Sequence, residues 1–357
     1  MVQVMRNALM TAGALLMACV CFDAQGVSLA GVQGEPLVVG PENSFTVRFT
    51  LDEPAFVELR IYDAGDALIR TVASQGLMPA GDNSLSWRID DERGERVPED
   101  AYAYTLAART ERGAAAVFDP TDDNLAEPVS VDGVRWNPET GRVTYVLGRP
   151  ARVKLRVGLD DNGPLLAAIV NMAARPAGVQ EESWDGLDAT GSFPLGRHPK
   201  LAVGVTTYAL PRNSIIVGRA AQAATTTGSP QRRSLRQVSA RASLHPSLRR
   251  DYRAVLRISD SRSIPSVAAG SVVPVVIDVP PEMRQLVLSQ RFEPVFFVDG
   301  VFVFENEVGF LPLQWTWRPT EADVGERTVT VNLRGYDGAF GIVSVKVRVT
   351  TGRESAP

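Results

Sequence analysis

The sequence predicts an all-β protein built from three consecutive antiparallel β-sandwich domains. Short segments alternate apolar with polar residues, turn residues recur about every ten positions, and one long stretch of sequence is repeated. Alternation with a period of two puts the apolar side chains of a strand on one face, where two facing sheets can bury them. The 357 residues suffice for two or three such domains.

An internal repeat joins the first two predicted domains. Val-Glu-Leu-Arg-Ile at 57–61 recurs as Val-Lys-Leu-Arg-Val at 153–157, an offset of 96 residues. Further on, a Pro-Ala-Gly sequence followed by Ser-Trp recurs with an offset of 97, which aligns Trp87 with Trp184. A repeat of this length is a whole small domain. We therefore expect two domains of the same fold, with one residue inserted between the two aligned points.

The first predicted domain covers residues 27–119. Its alternating segments are expected to form strands at residues 44–51, 57–61, 68–72, 85–87 and 102–106. Sequences rich in Gly, Asp and Asn separate several of these segments and predict turns. Many short strands joined by such turns are typical of a sandwich.

The second predicted domain covers residues 127–218, and its strand at 143–147 corresponds to the first alternating strand of the repeat. An acidic junction precedes this domain and contains Asp119, Asp122, Asp123 and Asn124. It is either a solvated linker or a calcium site that would stiffen the connection, since Ca²⁺ prefers converging oxygen ligands.

A linker and a third domain complete the chain. Residues 219–252 are rich first in Ala and Thr and then in Arg, which predicts a linker. The third domain is expected at 253–350. Asp299 and Gly300 between two apolar strands indicate a hairpin with a two-residue turn. Further strands are expected at residues 273–277, 329–333 and 343–349.

Both repeats contain a tryptophan followed by an Asp- and Gly-rich turn. The motif residues are Trp87, Asp91 and Gly94 in the first repeat, and Trp184, Asp185, Gly186, Asp188 and Gly191 in the second. We expect each Trp to anchor the end of a strand on the core, and Asp91 and Asp188 to accept backbone N–H groups within the turn. Calcium is the alternative, but neither turn has EF-hand spacing.

With these motifs, the two repeats resemble the immunoglobulin-like domain of the flagellar hook-capping protein FlgD. Ile-Tyr-Asp at 61–63 fits the family pattern in the first repeat, and the Trp-Asp-Gly-x-Asp-x-x-Gly turn at 184–191 fits it in the second. The second repeat departs from the pattern at 193–199. The resemblance implies a structural or recognition role, because it brings no catalytic residue to this chain.

The third domain resembles a generic bacterial immunoglobulin- or cadherin-like module, through its Trp-x-Trp-x-Pro sequence and the strands that follow. Trp315 and Trp317 share one face of a strand. They are either core residues or part of an exposed aromatic strip for a glycan or a protein partner. Phe296 and Phe297 are adjacent, so one of them is expected to be exposed or to meet another surface.

The sequence predicts no catalytic residue, no metal site and no cofactor. It has two His, a net charge of −4 and no nucleophile or nucleotide-binding motif, which argues against an enzyme. Several arginines cluster at Arg232, Arg233, Arg236, Arg241, Arg249, Arg250, Arg253 and Arg257. Their irregular spacing does not favour a nucleic-acid partner and indicates a solvated linker or salt bridges to acidic domain faces.

The N-terminus predicts export. Arg6 precedes an uncharged apolar stretch at 8–20 that is too short to span a bilayer, and small residues follow at 24–26. Cleavage there would make residues 1–26 a signal peptide and Val27 the first mature residue. The alternative is a lipoprotein signal with Cys19 as the lipid-modified residue. The expected location is the periplasm or cell surface of a Gram-negative bacterium, with an outer-membrane lipoprotein as the lipidated alternative.

Two function classes remain open at this stage. The preferred one is a non-enzymatic cell-envelope scaffold, spacer or docking protein that acts on protein partners through its immunoglobulin-like domains. The alternative is a carbohydrate- or surface-binding, adhesin-like protein that uses Trp315 and Trp317. Membrane contact is expected only through a lipid on Cys19.

Overall fold

A computed structural model of the chain describes residues 26–35, 37–40, 43–121, 127–218, 249–258 and 264–352. The predicted signal peptide up to residue 25, Cys19, most of the predicted linker, and Asp122, Asp123 and Asn124 lie outside the described residues. In the described ranges the chain forms twenty-four strands and one α-helix, which confirms the all-β prediction. No helix in those ranges is long and apolar enough to cross a membrane.

The first sandwich buries a core of aromatic and aliphatic residues between two sheets. Its strands are β1 (Leu29–Glu35), β2 (Val38–Val39), β3 (Phe45–Leu51), β4 (Phe56–Tyr62), β5 (Leu68–Ala73), β6 (Gly81–Trp87), β7 (Asp100–Arg109) and β8 (Ala115–Phe118). One sheet has the order β1-β3-β6, and β5, β4, β7 and β8 belong to the other. Strict alternation along β3 and β4 explains why one face of each strand is buried.

The second sandwich repeats this arrangement around its own core. Its strands are β9 (Val131–Asn137), β10 (Arg142–Leu147), β11 (Ala151–Leu159), β12 (Leu165–Arg175), β13 (Gly178–Ser183) and β14 (Leu201–Ala209). The two sheets have the orders β13-β10-β9 and β12-β11-β14. Strands β3 to β7 of the first domain therefore correspond to β10, β11, β12, β13 and β14.

The tryptophans occupy equivalent places in the two repeats, as the offset predicts. Trp87 ends β6 and Trp184 directly follows β13. Each indole N–H donates to the backbone carbonyl three residues later, at 2.7 Å for Trp87 and 2.8 Å for Trp184. The inserted residue lies in the β11–β12 connection, because Tyr62 pairs with Leu68 whereas Gly158 pairs with Leu165.

One strand lies in a different sheet from the one that its position in the sequence suggests. Strand β15 (Ser214–Val217) falls within the predicted second domain, but it pairs antiparallel with the beginning of β7 and parallel with β2, in the first sandwich. Strand β8 pairs with the end of β7, so β8 and β15 lie end to end along the same edge. Ile215 and Val217 are buried in the first core. The second sandwich is thus inserted in the chain between β8 and β15, the two strands that pair with the same side of β7.

The third sandwich packs its core between a small and a large sheet. Its elements are β16 (Tyr252–Arg253), β17 (Val255–Ile258), β18 (Ser266–Ala268), β19 (Val273–Asp278), α1 (Pro281–Leu288), β20 (Phe292–Val298), β21 (Val301–Glu305), β22 (Leu313–Trp317), β23 (Gly325–Gly335) and β24 (Phe340–Thr350). The orders are β17-β19-β22 and β16-β24-β23-β20-β21, and β18 pairs with β24. Asp299 and Gly300, both with positive φ, form the predicted hairpin turn.

The insertion generates a prediction about stability. Ile215→Ala should lower the free energy of unfolding by about 2–5 kcal/mol, because it leaves a cavity in the first core. Hydrogen exchange should show loss of protection in β7 of the first domain. Ile264→Ala, at an exposed site in the third domain, is the matched control and should change little. Loss of protection confined to the second sandwich would contradict the insertion.

Candidate docking face of the second domain

Strand β11 has buried residues on both of its faces. Val153, Leu155 and Val157 point into the second core, as alternation requires. The opposite face carries Arg152, Lys154 and Arg156, which we call the cation row. On an isolated sandwich these side chains would reach water, yet Arg152 is only 7% exposed and Lys154 only 2%. Neighbouring domains therefore cover this face of the second domain.

Arg152 binds the first domain. Its guanidinium donates to Asp100 Oδ1 at 2.8 Å and to the carbonyl of Ala101 at 3.4 Å. Arg250, from the end of the Arg-rich segment, approaches the other oxygen of Asp100 at 3.0 Å. Burial alone would raise the pKa of Asp100, but the charges of Arg152 and Arg250 outweigh it and hold that pKa below its usual value. One carboxylate thus joins three parts of the chain.

Arg156 forms a two-pronged ion pair with Asp251, the residue directly before β16 of the third domain. Its Nε donates to Asp251 Oδ2 at 2.7 Å, and its Nη2 donates to Asp251 Oδ1 at 2.5 Å. The same Nη2 donates to the carbonyl of Gly338, and the guanidinium lies 4.8 Å from the ring centre of Phe340. Asp251 is buried and also accepts the backbone N–H of Phe340. Such bidentate geometry fixes orientation as well as distance.

Lys154 lies between the two arginines in the row. Its Nζ donates to the carbonyl of Gly338 at 3.2 Å. Burial lowers the pKa of Lys154 to about 8, and the nearby charge of Asp251 opposes this shift only in part. The neighbouring contacts therefore offset only part of the energetic cost of burying the ammonium group.

The side-chain amides of two asparagines form pairs of hydrogen bonds with backbone groups across the boundary between the second and third domains, as the backbones of neighbouring strands do. The side chain of Asn332 accepts from the N–H of Leu165 and donates to its carbonyl, both at 2.8 Å. Asn171 does the same with the backbone of Asp251, at 2.8 and 2.7 Å. The Asn332 contact satisfies the backbone of Leu165 in β12, an edge strand of its sheet, and the Asn171 contact satisfies the backbone of Asp251.

The partner surface on the third domain is the outer face of its large sheet. Thr330 and Asn332 of β23 are buried on this face, and Phe297 shares it because it pairs with Thr330. Phe296 points into the core on the opposite face, and both phenylalanines are buried. The alternative in which one of the pair meets another surface is therefore the one observed.

The described part of the Arg-rich segment forms salt bridges with acidic side chains. Arg249 pairs with Asp337 of the third domain, and Arg250 pairs with Asp100 of the first. Arg257, inside β17, approaches Asp278. Arg232, Arg233, Arg236 and Arg241 lie outside the described residues.

The Asp- and Gly-rich turns are built as closed loops. Asp91 accepts the N–H groups of Arg93 and Glu95, each at 2.9 Å. Asp188 accepts those of Ser192 at 2.6 Å and Phe193 at 2.8 Å. In the second turn Asp185 accepts the N–H of Leu187. The left-handed φ angles belong to Ile89 and Gly94 in the first turn and to Gly186 and Gly191 in the second. These contacts use the carboxylates as turn caps.

The remaining candidates from the sequence are the acidic junction and the two tryptophans of the third domain. Within the described residues, no three His, Cys, Asp or Glu side chains form a group that could hold a metal. Asp119 binds Thr121 through its carboxylate. Trp317 lies in the third core and is 6% exposed. Trp315 is partly buried, and its ring centre lies 5.1 Å from that of Phe296 and 6.1 Å from that of Phe304.

The cation row was not singled out from the sequence, although a signal for it was present. Ala-Arg-Val-Lys-Leu-Arg-Val places three cations at every second position of a strand. The first repeat has Phe56, Glu58 and Arg60 at the corresponding positions. A row of like charges on one strand face is unfavourable unless carboxylates or carbonyls meet it, and this requirement is what indicates a neighbouring domain.

Comparison with known proteins supports the fold of the first domain. Residues 37–112 match the family model of the FlgD Ig-like domain, which confirms the resemblance seen in the sequence. The comparison with characterised proteins gave no match.

Among solved structures, the chain is similar to the fibronectin(III)-like modules of CbhA from Clostridium thermocellum, with 10% identity, 93% of this chain and 97% of that chain covered, and a TM-score of 0.23. It is similar to FlgD from P. aeruginosa, with 19% identity, 31% of this chain and 77% of that chain covered, and a TM-score of 0.21. It is also similar to a bacterial ice-binding adhesin, with 9% identity, 91% of this chain and 98% of that chain covered, and a TM-score of 0.19. These values are too low to transfer a function.

The buried ammonium generates a prediction about pH. An unfolded lysine titrates near 10.5 whereas folded Lys154 titrates near 8, so the unfolded chain holds this proton more tightly. The charged group therefore costs stability below pH 8, and the cost disappears as the pH rises toward 10.5. Relative to Lys154→Met, the native protein should gain about 2–3 kcal/mol in unfolding free energy between roughly pH 7 and pH 10.

Urea unfolding of both proteins at the two pH values measures this gain. Lys200→Met is the matched control, since the side chain of Lys200 is 59% exposed in the same domain. Its unfolding free energy should follow that of the native protein across the range. An equal pH dependence for the Lys154 and Lys200 variants would contradict the assignment of the cost to Lys154.

Proposed function

We propose that this chain is an exported, non-catalytic scaffold of the bacterial cell envelope, which holds docking surfaces on its first and third domains at a fixed spacing. The observation that carries the proposal is the cation row, through which the second domain binds both of its neighbours. A string of independent domains would expose these side chains. A scaffold needs them buried, because buried ion pairs with several hydrogen bonds favour one relative orientation.

The match to the FlgD Ig-like domain supports a structural role rather than catalysis. The match brings no catalytic residue to this chain, so the function is argued from the interdomain contacts rather than from the fold. The alternative of carbohydrate binding through Trp315 and Trp317 has less support, because the ring of Trp317 is buried and Trp315 packs on Phe296 and Phe304. We therefore retain protein partners of the envelope as the proposed ligands.

Fixed spacing is testable by spin-label distance measurements. Both native cysteines precede residue 27, so a chain that begins at Val27 accepts labels at Arg88→Cys in the first domain and Val308→Cys in the third. Both side chains are exposed. We expect one narrow distance distribution, which Arg156→Met should broaden because it leaves Asp251 buried without its partner. A broad distribution in the otherwise native chain would contradict a rigid scaffold.

Export is testable from the mature N-terminus. Intact-mass analysis of periplasmic and membrane fractions should find a chain that begins at Val27, or one that begins at a lipid-modified Cys19. Several acyl chains would hold the second form on a membrane. Accumulation of folded protein that retains Met1 would contradict both forms and the proposed location.

A further inference from the structure

The first domain carries an open sheet face that corresponds to the docking face of the second. Phe56, Glu58 and Arg60 of β4 occupy the positions of Arg152, Lys154 and Arg156 in the repeat. They lie beside β7 and β8, where Glu58 is in register with Ala107 and Ala107 with Val117. We call this surface the first-domain outer face; its residues are Phe56, Glu58, Arg60, Ala107, Arg109, Glu111, Ala115 and Val117.

The first-domain outer face is apolar in its middle and accessible. Phe56 is 45% exposed and Val117 is 68% exposed. Small side chains at Ala107 and Ala115 leave a shallow depression of about 620 Å³ between them. The second domain contacts the opposite end of β7, at Asp100 and Ala101. The open end is therefore free to meet another surface.

The charges on this face are balanced. It carries two carboxylates, Glu58 and Glu111, and two guanidiniums, Arg60 and Arg109. Arg60 lies beside Glu58, with their nearest atoms 2.6 Å apart and both side chains 43% exposed. A two-fold contact brings the same patch of two copies together, so the patch must complement itself. Neighbouring charges of opposite sign meet this requirement, whereas the cation row could not pair with itself.

We propose that the first-domain outer face binds the same face of a second copy of this chain about a two-fold axis. Phe56 and Val117 pack across the axis over the alanines, and Arg60 of each copy approaches Glu58 of the other. The second repeat shows that this surface of the module serves as a docking face within the same protein. The proposal is independent of the scaffold function, since a monomer would keep its interdomain distances.

Sedimentation velocity of the chain that begins at Val27, over a wide range of concentrations, tests the proposal. We expect a reversible monomer–dimer equilibrium. Val117→Asp places like charges at the axis and should weaken dimerisation by roughly tenfold or more. Val308→Asp is the control, because Val308 is 72% exposed in the third domain. It should leave the equilibrium unchanged. Circular dichroism should show both variants folded, because both sites are exposed.

A charge exchange sharpens the test. Glu58→Arg alone and Arg60→Glu alone should each weaken the dimer, because like charges then face each other. The double variant Glu58→Arg, Arg60→Glu should restore it, since both copies carry the exchange and the patch again complements itself. A monomer at every concentration, a dimer that survives Val117→Asp, or a double variant no better than the single ones would overturn the proposal. The spin-label distances separately report on the scaffold.

Discussion

The arrangement of the molecule depends on the pairing of β15 with β7. The chain leaves the first sandwich after β8, forms the whole second sandwich, and returns as β15 to pair with the rest of the same side of β7. Ile215 and Val217 then complete the first core. Two separate chain crossings hold the two domains together, so they cannot move apart without removing a strand. This placement also brings Asp100, at the start of β7, within reach of Arg152.

The second domain acts as the hub because a single strand face contacts both neighbours. Arg152 reaches one domain, and Lys154 and Arg156 reach the other. Buried charges are costly, and here each is met by a carboxylate or a backbone carbonyl. The asparagine contacts along β12 add polar pairs whose geometry allows little sliding. The contacts of the second domain with its neighbours therefore favour one relative orientation of the domains.

Local patterns in the sequence predicted the strictly alternating strands, such as β3, β4 and β10, the hairpin at Asp299 and the equivalence of the two tryptophans, because period-two alternation and turn chemistry act within a few residues. Strands without strict alternation, such as β1 and β9, were not predicted. The partner of β15 could not be predicted in this way. Its apolar sequence suits either sandwich, and only the fit against β2 and β7 decides. The burial of Phe297 and the cation row likewise depends on how domains meet, which a single strand's pattern does not contain.

The parallel pairing of β15 with β2 has a mechanical consequence. Strand β2 leads toward the N-terminus and β15 toward the third domain, so tension between the two ends of the chain would pull these strands along their axes in opposite directions. The bonds from Ile216 to Leu37 and from Gly218 to Val39 would then be loaded together in shear. Bonds loaded together resist more force than bonds opened one after another. The β2–β15 pair thus resists stretching behind β1, the strand that tension on the N-terminus reaches first.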